Sequence, residues 1–304
     1  MNRSLRSLGG FVSAGLAIFL AVGAPRAMAQ TTVEDALKQL SSDNGKGYMQ
    51  PVADLFGANM MAGSYHSAAI PKAGFHLAFD IVVMGGLVGD DQKSFDAVLP
   101  TGYTPGTAKA PTLFGGTGPV ITDQTTGSSY RFPDGIVNAS LFPLLVPQLT
   151  VGSIMGTEVF ARYVFIPKLG EDALPSTTLW GLGARHNVSQ WFGGLPLDIA
   201  GGIFYTRFTS GDLVDYTGVQ IGAQASKTLE VLTIYGGVAW EQSTMTLKYA
   251  STAPGSGDVE IDLDGANVFR VTGGAMLSLG VFRLFADVNL GAVTNFSAGF
   301  GFGG

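Results

Sequence analysis

Over its last forty residues the chain alternates apolar and polar side chains in three consecutive segments. In residues 281–290, one face carries Phe282, Leu284, Ala286, Val288 and Leu290; the other carries Arg283, Phe285, Asp287 and Asn289. Side chains alternate across a strand, so one face is wholly apolar and the other bears charges and amides. The segment before sets Phe269, Val271, Ala275, Leu277 and Leu279 against Arg270, Thr272, Met276 and Ser278. The segment after sets Phe296, Ala298, Phe300 and Phe302 against Asn295, Ser297, Gly299 and Gly301. The pattern predicts antiparallel strands of about ten residues joined by tight turns.

The same reading applied upstream predicts strands over 74–84, 148–154, 157–166, 179–188, 197–208, 217–226 and 231–249. The phase of 197–208 is ambiguous. Counting the C-terminal three, the chain has about ten strands, within a range of 8–14. Residues 86–147 read as one long irregular loop with a small hairpin around 124–127. Pro143 and Pro147 argue against a central strand over 141–147. At the N-terminal side, helices are expected over 33–40, capped by Thr32, and over 51–61, with Pro51 in the first turn and a loop at 41–47. The second helix is slim, fit either to plug a barrel or to lead in from below.

An antiparallel sheet in water shows the same alternation, so the solvent is decided elsewhere. Residues 1–29 read as a secretory signal peptide. Arg3 and Arg6 precede a short apolar core, and Ala27-Met28-Ala29 forms a cleavage site. The rest has no cysteine, few charges and abundant glycine, with 14 basic against 23 acidic residues, a balance that offers no general attraction to nucleic acid. An exported, glycine-rich chain of alternating ten-residue segments has the signature of an outer-membrane β-barrel. The expected organisation is a signal peptide at 1–29, a helical plug or lead-in at 30–72, and an antiparallel transmembrane barrel at 73–304. With both barrel ends in the periplasm, the longest loops fall on the extracellular side.

Three stretches carry a resemblance: Val146-Pro-Gln-Leu-Thr-Val-Gly-Ser-Ile-Met-Gly-Thr-Glu-Val-Phe-Ala-Arg-Tyr163, Leu232-Thr-Ile-Tyr-Gly-Gly-Val-Ala-Trp-Glu-Gln-Ser-Thr-Met245, and Ala184-Arg-His-Asn-Val-Ser-Gln-Trp-Phe192 before Leu195-Pro-Leu-Asp198. They resemble an uncharacterised family of bacterial outer-membrane barrel proteins, a domain of unknown function. The resemblance implies a barrel in the outer membrane and no particular activity. In architecture alone the chain is also similar to hydrophobic-compound transporters of the fatty-acid type, which place a helical hatch before a barrel of more strands.

With apolar faces toward lipid, the lumen receives His76, Asp80, Glu158, Arg162, Arg185, Asn187, Gln220, Gln224, Glu241, Arg270, Arg283, Asp287 and Asn289. These form either a structural ion-pair network or a polar path. Phe160, Tyr235, Met276 and Phe285, also inward, would suit a small hydrophobic ligand. Catalysis needs a nucleophile beside a histidine. His186 takes the lipid-facing phase, His66 follows the helix, and His76 is matched by spacing with Asp80 but with no serine. Asp262-Leu-Asp264 reads as a loop turn rather than a calcium site. No cofactor or metal is expected. Trp180, Tyr205, Tyr249 and Trp191 fit interfacial girdles. The expected function is a passive transport or binding barrel for a small, hydrophobic solute, with the helix as gate. The alternative is a closed anchoring barrel that binds a partner through its long loop.

Overall fold

The computed structural model describes residues 30–168, 175–252 and 257–303. The signal peptide lies outside the described residues, as does most of the connection after residue 168. Two helices, α1 (Gln30–Lys38) and α2 (Ser42–Met60), precede the strands. In chain order these are β1 (His76–Leu87), β2 (Ser94–Val98), β3 (Thr107–Pro111), β4 (Val120–Thr122), β5 (Ser129–Arg131), β6 (Leu141–Ile154), β7 (Thr157–Ile166) and β8 (Thr177–Asn187). There follow β9 (Asp198–Ser210), β10 (Val214–Leu229), β11 (Leu232–Ala250), β12 (Asp258–Asp264), β13 (Phe269–Leu279), β14 (Phe282–Leu290) and β15 (Asn295–Gly303).

Among the described residues, ten strands close into an antiparallel barrel: β1, β6 to β11, and β13 to β15. Each pairs with its sequence neighbour in the barrel. Closure comes from β15 on β1, with Phe302 opposite Phe79 and Phe300 opposite Ile81. Closure gives every strand of the wall two neighbours, the condition for strands to sit in lipid, and only above Gln148 does β6 lack β7 as a partner. Among the described residues no helix is long and apolar enough to cross a membrane. The outer wall is apolar as the alternation predicts: Phe282, Leu284, Val288 and Leu290 project outward while Phe285, Asp287 and Asn289 are buried inside.

The structure corrects the sequence reading at several points. Residues 141–147 are strand, because above Gln148 this part of β6 pairs with β1 alone. On its other edge a proline without an N–H breaks no ladder. The phase of β9 is also settled. Phe204, Thr206 and Phe208 face inward and Ile203 outward, so both faces carry apolar residues and alternation could not discriminate them. Residues 258–264 form a strand paired with the tall upper half of β11. Asp262 and Asp264 therefore sit on a strand rather than in a turn, accepting hydrogen bonds from Thr246 and Thr244. Trp180 and Tyr205 do pair on the outer wall, 5.2 Å apart, and Trp191 is exposed at the short-turn end. Tyr249 is buried inside and belongs to no girdle.

The helices differ too. α1 begins at Gln30, so Thr32 lies within it and does not cap it. α2 begins at Ser42, nine residues before Pro51, and absorbs the expected loop. Two glycines lower its intrinsic propensity there, and both are closely approached by neighbouring side chains. A side chain at Gly45 would collide with Tyr249 and one at Gly47 with Phe95. Tertiary packing has overridden local preference.

One end of the barrel carries tight turns at 155–156, 230–231 and 280–281 and the 188–197 connection; the other carries the long connection 88–140 and the β11–β12 hairpin. That asymmetry distinguishes a short-turn end from a long-loop end. There the hairpins β2–β3 and β4–β5 form a cap. Phe114 packs edge-on against Phe142 at 5.8 Å, and Leu113 donates its N–H to the Tyr48 carbonyl of α2. The β4–β5 turn is held by Asp123, which accepts from the Thr126 hydroxyl and from the amides of Thr126 (2.8 Å), Thr104 (3.0 Å) and Thr125 (3.2 Å).

Replacing Leu284 by Arg puts a cation mid-strand on the lipid face. It should cost about 2–4 kcal/mol, read from urea unfolding in vesicles; Gln124→Arg, at the cap's tip, should stay within about 0.5 kcal/mol. The hydrogen bonds led by the Thr126 hydroxyl hold Asp123 down to about 2, against an ordinary 3.8. A depressed carboxyl contributes fully above the unfolded value and loses its contribution as pH falls through the folded one. Exchange protection of the Thr126 amide should therefore exceed that of Asp123→Asn above about pH 4 and converge with it near pH 2.

Candidate functional site

The lumen is occupied by the protein's own chain. α2 descends from the long-loop end, and residues 61–70 continue toward the turns. Nineteen residues of helix rise about 28 Å. The upper half of α2's surroundings is apolar: Phe56 lies 5.0 Å from Phe208 and 4.8 Å from Tyr216, and Met245 and Leu247 are buried beside them.

The helix ends at mid-barrel, where its last carbonyls lack intrahelical partners and carry the negative end of the helix dipole. Cationic side chains from the wall meet them. Arg270 donates to the Ala58 carbonyl at 2.5 Å, joined by the Asn295 amide at 2.7 Å. Arg162 donates to the carbonyls of Met60 (2.9 Å) and Ala62 (2.8 Å) and to Gln148 Oε1 (2.9 Å). Gln220 donates to Met61, Arg185 to Ser64 (2.9 Å) and Gln224 to Ser67 (3.1 Å). Asn187 reaches the Ile70 carbonyl at 3.4 Å. Residues 58–70 are thus pinned to the wall through their backbone.

The cations are balanced by inward carboxylates. Arg270 meets Glu241 at 2.6 Å, and Glu241 also accepts from Gln220 at 2.7 Å. Arg283 pairs with Asp80, and Arg185 with Glu158, which also meets His76 at 3.1 Å. The expected match of His76 with Asp80 is absent. Four residues along a strand span about 13 Å, too far for contact, so each finds a partner two strands away around the wall: His76 reaches Glu158 of β7 past β6, and Asp80 reaches Arg283 of β14 past β15. Among the described residues no carboxylate lies within ion-pair distance of Arg162, whose charge rests on carbonyls, Gln148 and the face of Phe204 at 4.9 Å. Asp287 accepts from Tyr235 (3.0 Å), Asn289 (2.7 Å) and Ser297 (2.6 Å), and Asn289 accepts from Thr272. Eleven of the thirteen residues expected in the lumen are buried, and His76 and Arg283 are partly so. Arg162, Arg185, Asn187, Gln220, Gln224 and Arg270 hold the threaded chain, whereas Asp80 with Arg283 and Asp287 with Asn289 bond within the wall.

Phe160, Tyr235, Met276 and Phe285 also face inward but are packed. Phe160 stacks on Phe204 at 5.3 Å, and Phe285 lies 4.0 Å from His66. A cavity beside Ser64, Phe160, Arg185 and Gln220 measures about 10 Å³, room for about one water. His186 faces outward, bonded to Thr157 at 2.8 Å. Among the described residues, no cluster of His, Asp and Glu is arranged to hold a metal. Sequence reasoning missed Gln148, Ser64, His66 and Asn295. The first lay in a strand read as too short, and the next two lie outside any periodic element. The fourth stood on the polar face of its strand and could have been included.

Arg270→Met leaves the Glu241 carboxylate buried without a cation and should cost about 3–5 kcal/mol. The double variant Arg270→Met, Glu241→Met should recover part of that loss, both read from unfolding midpoints in detergent.

Among solved structures, the chain is similar to the transport unit of the autotransporter AIDA-I from Escherichia coli, at 11% identity over 86% of this chain and 98% of that one, TM-score 0.34. It is similar to the translocator domain of autotransporter NalP from Neisseria meningitidis, at 13% identity over 90% and 99%, TM-score 0.29. It is also similar to the P. putida toluene transporter TodX, at 11% identity over 77% and 69%, TM-score 0.27. No curated protein matches. A family model matches residues 11–304, nearly the whole sequence, and the chain belongs to that family, a family of unknown function (DUF6588).

Proposed function

We propose that this is a closed anchoring barrel of the bacterial outer membrane that holds a cap on the cell surface for a partner to bind. One observation carries the reading: residues 42–70 fill the lumen and are fastened to its wall through Arg270, Arg162, Arg185 and Gln220. A pore needs a continuous polar path, and here inward charges are spent on one another and on the helix end. A buried arginine freed from its partners would cost several kcal/mol, which disfavours spontaneous opening. The cap carries hairpins exposed at their tips and is rooted on α2 through Asn44, whose amide exchanges two 2.8 Å hydrogen bonds with the Val98 backbone.

A second reading keeps passive passage of a small hydrophobic solute, with α2 as the gate. It is favoured by the apolar inner surface at Phe208, Tyr216, Met245 and Leu247, which displacement of α2 would open. Planar-bilayer recording separates the two. The intact protein should hold no steady conductance, whereas a variant lacking residues 42–60 should conduct. Steady conductance of the intact protein at the level of the deletion would end the closed-barrel reading. Native mass spectrometry that finds a bound fatty acid or small lipid would favour the gate.

A further inference from the structure

We infer that the N-terminal segment is threaded through the barrel from outside to inside, so that α1, which begins at Gln30, stands on the cell surface. The inference rests on the membrane orientation used above and adds the path of the chain. Four contacts fix where α1 lies. The Lys38 carbonyl accepts from the Thr252 amide at 2.6 Å. The Leu40 carbonyl accepts from the Ser251 hydroxyl at 2.8 Å, and Gln39 from the Tyr130 hydroxyl at 2.9 Å. Below them, Asn44 is bonded to Val98. Ser251 and Thr252 follow the top of β11, Tyr130 belongs to β5, and Val98 ends β2, so all four partners belong to the long-loop end.

The chain then runs one way. Tyr48 donates to the Asp134 carbonyl in the cap. Ala58 and Met60 meet Arg270 and Arg162 at mid-barrel. The Ala68 amide donates to Ser226, near the bottom of β10, and Ile70 meets Asn187 at the foot of β8. Residues 71–75 emerge exposed beside the short turns, and β1 starts its climb at His76. A lead-in from the periplasm would reverse this order, placing α1 near the turns and the Met60 end near the cap.

Any segment fused ahead of Gln30 is therefore presented outside the cell, although the barrel's own first and last strands begin and end on the periplasmic side.

The chain has no cysteine, so single cysteines report position without background. Asp35→Cys lies on the exposed side of α1, Gln124→Cys at the tip of the cap hairpin, and Lys72→Cys beside the short turns; all three positions are exposed. A membrane-impermeant maleimide applied to intact cells should label Asp35→Cys and Gln124→Cys as fully as after permeabilisation. Lys72→Cys should be labelled only after permeabilisation. If Asp35→Cys behaves like Lys72→Cys while Gln124→Cys stays accessible, the threading is wrong and the orientation stands. If Gln124→Cys is protected and Lys72→Cys accessible, the orientation is wrong and surface display fails with it.

Discussion

The meeting of wall arginines with the carbonyl end of α2 is the contact on which the lumen depends. A helix that stops inside a barrel leaves its last carbonyls without partners, in a place where water cannot satisfy them. Arg270 and Arg162 supply fixed donors and positive charge at the negative end of the dipole. Their presence then requires inward acids. Glu241 answers Arg270 directly, while Gln148 and the face of Phe204 stand beside Arg162. The neighbouring pairs, Asp80 with Arg283 and Glu158 with Arg185, extend the same logic downward.

The wall is accordingly divided along its height. Where α2 runs as a helix its backbone is self-satisfied, and the facing strands present Tyr216, Met245 and Leu247. Where the chain has left the helix and its amides and carbonyls need partners, the same strands present Gln220, Gln224 and Ser226. Within β10 alone the inward face passes from apolar to amide as the threaded chain passes from helix to coil. Inward glycines make room for the larger groups; Gly183 lies under the ring of Phe160 and Gly299 under that of Phe285.

Legibility in the sequence followed the same physics. Alternation located β7 and β13 to β15 closely because one face is wholly apolar and the other polar. It failed at β9, where Phe204 and Phe208 point inward and Ile203 outward. It also failed at Pro143 and Pro147, whose tolerance depends on an edge that no local pattern reveals. The inward charges were found, since charges within greasy strands have one place to go, but the inward amides Gln148 and Asn295 were not. The partners of those charges were not, because half of them are backbone carbonyls of the threaded segment, and a carbonyl has no residue type to betray it. His76 was matched to Asp80 by a spacing that holds on a helix and not on a strand.

The threaded segment has a mechanical side. A pull applied at Gln30, away from the barrel, is transmitted down α2 to residues 58–64, where Arg270, Arg162 and Arg185 grip the backbone from three different strands. The three grips lie at successive points along the chain and come from different sides of the wall, so no single hydrogen bond carries the load. The strands they belong to are stitched into a closed ring and cannot follow. Tension on α1 would thus be borne by the barrel wall as a whole, with the docking at Ser251 and Thr252 lying well above the grip.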